Sequence, residues 1–193
     1  DFQGVNDSGS STGLLLELAR VLKDSPAMPF SIILCFTDGE ECARSYGDSD
    51  GLHGSRRLLE NIVSNDMAKK ILAVIVVDMI GDRDLSITIP RNSSMDLVSL
   101  ALEAASEENA RSKFLLLPSG ITDDHVPFFE KGIPSIDIID FQFGSQPGMN
   151  DYWHTHEDTM DKISSESLET VGRIVIRMIN GLPEIQNQLL GQN

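Results

Sequence analysis

Two apolar runs that end in carboxylates constrain this chain more than any other feature. Ser31-Ile32-Ile33-Leu34-Cys35-Phe36 has the length and β-branching of a buried strand. It stops at Thr37-Asp38-Gly39, a turn signal, and Glu40 and Glu41 follow at once. Leu72-Ala73-Val74-Ile75-Val76-Val77 is a continuous apolar run of the kind found in a central strand covered on both faces, and it ends in Asp78. A carboxylate at the end of a buried strand loses water, and neighbouring carboxylates repel, unless a cation or a proton compensates. In open α/β sheets ligands bind at that edge. The plain alternative for the glutamate pair is a solvated acidic turn, since surface acids are common.

Around these runs the sequence alternates between strand and helix signals. The Gly/Ser-rich loop Gly4-Val5-Asn6-Asp7-Ser8-Gly9-Ser10-Ser11 precedes a helix with Leu14, Leu15, Leu18, Val21 and Leu22 on one face, and Ser10 or Ser11 is the expected N-cap. A second helix carries Leu58, Leu59, Ile62 and Val63. Leu85 to Ile89 alternate weakly, as an edge strand would, and Met95 to Ala105 read as a helix. Phe114 to Leu117 and Pro134 to Asp140 read as strands, with a short helix between them, and a last helix over about 164–190 is expected to break at Gly181 and Pro183. Such alternation predicts an α/β three-layer sandwich, a mostly parallel central sheet with helices on both faces.

Composition excludes several functions. No apolar run approaches the ~20 residues of a membrane span. The formal net charge of −15 argues against a nucleic-acid partner, which needs a basic patch. Cys35 and Cys42 make neither a disulfide framework nor a zinc cluster, and Cys35 is expected in the core. The polar clusters at Asp7, Glu40-Glu41, Asp78, Asp123 and His154 all fall on loops beside buried elements. One shared metal site explains them together. Oxygen donors with one imidazole suit zinc in tetrahedral geometry, one position being left for water.

The motifs resemble those of the zinc-dependent aminopeptidase and glutaminyl cyclase family, which includes bacterial leucyl aminopeptidase-like metallopeptidases. The residues that carry the resemblance are Gly4 to Ser10, Asp38-Gly39-Glu40-Glu41 with Gly51-Leu52-His53-Gly54-Ser55, Asp78-Met79-Ile80-Gly81, and Trp153-His154-Thr155 with Asp158-Thr159. They stand in the family's order across nearly the whole chain. Asp123-Asp124-His125-Val126-Pro127-Phe128 with Gly132-Ile133-Pro134 is similar to the cyclase branch and to some bacterial peptidases. The resemblance implies that Asp7, Glu41 and His154 hold one zinc and that Glu40 is the general base. It implies that Asp78 holds a second zinc in two-metal aminopeptidases, or pairs with Asp123 in an acidic hydrogen-bonded couple in cyclases. It places Trp153 in the substrate pocket. Tyr46, outside the matched motifs, is read as a pocket wall or a surface residue. The family's His-x-Asp motif lies upstream of the metal loop, and nothing precedes Asp1 here. The expectation is one zinc-exopeptidase-like domain over residues 1–193, truncated at its N-terminus.

What the resemblance implies about activity is a zinc metallohydrolase acting on peptide or protein N-termini, first of all an aminopeptidase in which Glu40 takes the proton of a metal-activated water. The alternatives are a single-zinc glutaminyl cyclase that releases ammonia from an N-terminal glutamine, and a binding domain that keeps the fold without turnover. Bacterial relatives of this kind are often exported, which gives the expected compartment. Among lesser candidates, His156 is read as an exposed loop histidine, His53 as structural, His125 as a loop-orienting residue and Asp124 as a helix cap.

Overall fold

The computed structural model describes residues 3–25, 28–47 and 49–190, with side chains up to residue 184. Its strands are β1 (Val74–Asp78), β2 (Ile87–Ile89), β3 (Phe114–Leu116) and β4 (Ser135–Ile139). β1 pairs in parallel with β4, Val74 opposite Ser135 and Asp78 opposite Ile139. β2 pairs in parallel with β3, Ile87 opposite Phe114. The Thr88 hydroxyl donates to the Ile139 carbonyl at 3.1 Å, which sets β2 beside β4. Ladder hydrogen bonds join the strands in two pairs, β1-β4 and β2-β3, which lie side by side through β4 and β2. β1 and β4 run the same way, so Asp78 and the residues after Ile139 emerge at one edge. The pair β2-β3 runs opposite to them, since Ser86 meets Asp140 while Ser94 meets Ser135.

The helices are α1 (Ser11–Lys23), α2 (His53–Ser64), α3 (Met95–Glu107), α4 (Val126–Glu130) and α5 (Ser165–Leu190). One core joins Leu14 and Leu18 of α1, Leu97 and Ala101 of α3, and Val171, Ile174 and Met178 of α5 to Ile136 and Ile138 of β4. Side chains alternate along a strand, so Asp137, between those two isoleucines, turns away from that core toward α4. The molecule is an α/β three-layer sandwich, as the alternation predicts. No helix among the described residues is long and apolar enough to cross a membrane.

Several local expectations are corrected. The run 31–36 is extended but belongs to no strand among the described residues. Ile33 is 67% exposed and Phe36 56%, and Cys35 is exposed rather than in the core. The run has strand-like letters, yet it finds no ladder partner among the described residues. β2 is interior rather than an edge: Ile87, Thr88 and Ile89 are all buried, while β3, with Leu115 and Leu116 exposed, is the edge. Neither Ser10 nor Ser11 caps α1; the Ser10 hydroxyl donates to the Asn6 carbonyl at 2.6 Å instead. α5 runs through Pro183 without ending. Gly181 serves packing, since a Cβ there would stand 2.6 Å from Leu100 Cδ1 of α3.

Ile138 has no exposure and belongs to the main core, so Ile138→Ala is expected to cost about 2–5 kcal/mol in urea unfolding. Ile33→Ala should change stability by about 0.5 kcal/mol or less. Equal losses at the two positions would contradict this account of the core.

Candidate metal centre

Three loops meet at the carboxyl edge of the sheet. The first is the turn Val5–Ser10 before α1, which carries Asp7. The second follows the exposed run and carries Glu40 and Glu41. Its shape comes from α2, whose first amides would otherwise lack partners: Leu52, His53 and Gly54 donate their N–H groups to the carbonyls of Glu40, Gly39 and Asp38 at 2.8, 2.9 and 2.9 Å. Gly54 permits that approach, because a Cβ there would stand 2.7 Å from Asp38 N and O. The Gly51-Leu52-His53-Gly54-Ser55 motif is thus a docking surface for the glutamate loop. The third loop presents His154 at φ +58°, in the left-handed region, where a non-glycine residue carries a local strain found mostly at functional sites.

The side chains converge. His154 Nε2 lies 2.5 Å from Glu41 Oε1 and 3.3 Å from Asp7 Oδ2. One donor atom from each of the three residues falls within 4.8 Å of the others. The Trp153 ring stacks on the His154 imidazole, centroids 3.9 Å apart, and leans edge-on against Phe141 at 5.2 Å. Burial, followed by the Glu41 charge, raises the Asp7 carboxyl to about 6. Two carboxylates crowded on one imidazole nitrogen form a donor set that a divalent cation relieves. Two oxygens and one nitrogen, with room for a fourth group, fit zinc.

A second layer of acids lies behind this trio. Glu40 is half-buried, and burial, with Asp123 next, raises its carboxyl to about 8. The Tyr46 hydroxyl donates to Glu40 Oε1 at 3.0 Å. Asp78 is raised well above the carboxylate range by burial, then by the charges of Asp123, Asp7 and Glu40. It stands outside the three-residue cluster, and no direct Asp78–Asp123 hydrogen bond occurs among the described residues. Asp123 is buried and raised by loss of water.

Some residues behave otherwise than expected. Asp124 does not cap α4; it is buried and accepts a hydrogen bond from the Thr37 hydroxyl. His125 has no exposure, and its Nδ1 lies 3.7 Å from Asp137 Oδ2, also unexposed. Burial lowers the His125 imidazole to about 4, so it is neutral, and it raises Asp137. Sequence reasoning passed over Asp137. A charge letter in the middle of the apolar Ile136-Asp137-Ile138 was the signal. His156 is exposed and outside the cluster.

A family model described as peptidase family M28 matches residues 1–179. The chain belongs to peptidase family M28. The glutaminyl-peptide cyclotransferase of Boiga irregularis is 27% identical over 207 residues, covering 90% of this chain and 54% of that protein. The solved glutaminyl cyclase of an Acidobacteriales bacterium is 39% identical with TM-score 0.87, covering 93% of this chain and 62% of that one. A solved zinc aminopeptidase from Bacillus subtilis is 28% identical with TM-score 0.69, covering 91% of this chain and 41% of that one. The M28 chain described here therefore spans about half the length of the curated cyclotransferases it matches.

The raised carboxyls set a pH dependence. Asp7 at about 6, Asp140 at about 7 and Glu40 at about 8 each bind a proton more tightly folded than unfolded, where carboxyls titrate near 4. Their stabilising contribution is present at low pH and is lost as pH rises through these values. His125, neutral when folded, opposes them below its ordinary value of 6.5. The unfolding free energy of the metal-free chain should therefore fall between about pH 6.5 and 8, and saturating zinc should restore part of the loss. Urea unfolding across that range checks this, and rising stability would contradict it.

Proposed function

We propose that this M28 chain carries a single-zinc site that closes an N-terminal glutamine into pyroglutamate, with aminopeptidase activity as the second reading. The observation that carries the proposal is one cluster of Asp7, Glu41 and His154, with Asp78 outside it, buried and feeling the charges of Asp123, Asp7 and Glu40. The cyclase in the Acidobacteriales structure, more similar in sequence and fold than the Bacillus aminopeptidase, supports the same order. The aminopeptidase reading draws on that zinc aminopeptidase and on the suitability of Glu40 as a base for water.

Zinc bound at the cluster would supply Lewis acidity toward the carbonyl of the glutamine side chain. The remaining steps fall to the chain's own residues. Glu40 takes a proton from the substrate α-amine as its nitrogen forms the bond to the side-chain carbonyl carbon. The same carboxyl gives a proton to the departing nitrogen, so the products are a lactam and ammonia. A carboxyl raised to about 8 suits both transfers at neutral pH. The Tyr46 hydroxyl holds Glu40 in place, and burial beside Asp123 and Asp78 keeps that carboxyl from being fully hydrated. Trp153 offers its outer edge as a wall beside His154. The excess of carboxylates attracts a free ammonium group, the feature common to both substrate classes.

Glu40→Gln should keep its zinc and lose about 10²–10⁴-fold in turnover, read as ammonia released from a glutaminyl peptide. Undiminished turnover would remove Glu40 from the mechanism. The same preparation should be assayed on aminoacyl chromogenic substrates. Hydrolysis there, without pyroglutamate formation, would establish the aminopeptidase reading instead. Silence on both substrates by a zinc-loaded chain would favour a binding domain.

A further inference from the structure

The segment that supplies His154 also grips the loop that supplies Asp7. Asp158 has no exposure, yet it neither joins the metal cluster nor faces the substrate wall. Its Oδ1 accepts the Asn6 backbone N–H at 2.7 Å, and its Oδ2 accepts the Asp7 backbone N–H at 3.0 Å. One buried carboxylate is thereby satisfied by two successive amides of the metal loop. Two further contacts close the loop from other sides. Gly81 N donates to Asn6 Oδ1 at 2.8 Å, and the Ser10 hydroxyl donates to the Asn6 carbonyl. Gly81 itself leaves no room for error, because a Cβ there would stand 2.9 Å from Asn6 Oδ1.

The arrangement has an electrostatic cost. The Asp158 charge is one of those that push the Asp7 carboxyl up. A tie needed only to hold two remote segments together could use a neutral acceptor and avoid that repulsion. What a carboxylate adds is two acceptors on one rigid plane, matched to two consecutive N–H groups, and stronger hydrogen bonds than a neutral acceptor makes. The two amides flank the Asn6 Cα, and the second is bonded directly to the Asp7 Cα, so the clamp fixes the backbone from which the Asp7 side chain leaves. Asp158 also shares a loop with His154, so the clamp fixes one candidate ligand relative to another.

We propose that Asp158 is a positioning residue that holds the Asp7 loop in its metal-binding arrangement before an ion arrives. This rests on the reading that Asp7, Glu41 and His154 hold zinc. Outer groups that orient ligands are typically worth about 10–100-fold in metal affinity, and Asp158 acts on a ligand's backbone rather than on its ring or carboxylate.

The test is zinc affinity of the 193-residue chain and of Asp158→Asn, measured by competition with a chromogenic chelator, beside urea unfolding of both without metal. The variant should remain folded and bind zinc about 10–100-fold more weakly. A merely structural tie would lower the unfolding midpoint and leave the affinity of the folded protein unchanged. Affinity within about twofold of the parent in a folded variant therefore overturns the proposal. Failure of the parent to take up zinc would instead overturn the zinc reading, a distinct result. Should Asp158→Asn not fold, amide hydrogen exchange on the unaltered chain decides. Asn6 and Asp7 amides protected in the metal-free state support the clamp, and protection that appears only after zinc is added contradicts it.

Discussion

Repulsion between carboxylates is the constraint from which the rest of this structure follows. The parallel pair β1-β4 and the connecting loops bring Asp7, Glu40, Glu41, Asp78 and Asp123 to one edge of a small sheet, with Asp137 in mid-strand behind them. Loss of water raises Asp7, Glu40, Asp78, Asp123 and Asp137 together, and their mutual charge adds to it. Such an edge is stable in three ways: by binding protons, by binding a cation, or by being held in a scaffold rigid enough to absorb the strain. The chain shows the third directly. The Asp38, Gly39 and Glu40 carbonyls accept from the amides at the start of α2, His154 sits in a left-handed backbone, and Asp158 grips the Asp7 loop. The first two are alternatives in solution, and under the zinc reading proposed above the edge would exchange protons for the ion.

The layers of acid have different jobs because they have different surroundings. Asp7 and Glu41 reach the surface beside His154, where a cation can approach them. Glu40 is half-buried and hydrogen-bonded by Tyr46, which suits a group that must gain and lose a proton. Asp137 and His125 are sealed off from water and from each other's full charge, one raised and the other lowered. The neutral forms are favoured for both, so they belong to the packing beneath the site rather than to its charge. Under the proposed function, this grading from exposed to buried would let one sheet edge bind an ion and move a proton while staying folded.

Much of the site was legible in the sequence, and the reason is local. Glu40-Glu41 and Asp78 stand at the ends of apolar runs, which marked an acidic edge, while the choice of Asp7, Glu41 and His154 as the donor set came from the resemblance of the motifs. Strand alternation also revealed the layered fold, which depends on periodicity alone. The errors arose where tertiary partners decide. Residues 31–36 have strand letters, but joining a ladder needs a partner strand alongside, and none is present among the described residues. Pro183 should break a helix by local rules, yet α5 passes through it. Gly181 looked like a breaker and instead makes room for Leu100. Asp158 was visible only as part of a motif, because its role is to accept amides from a loop at the other end of the chain.

The central claim is that Asp7, Glu41 and His154 share one zinc. X-ray absorption at the zinc edge of the loaded chain tests it most directly. The account predicts oxygen and nitrogen neighbours at about 2.0–2.2 Å with the outer scattering of a single imidazole and no sulfur. A sulfur neighbour at about 2.3 Å, which Cys42 beside Glu41 could supply, or the scattering of more than one imidazole, would contradict it.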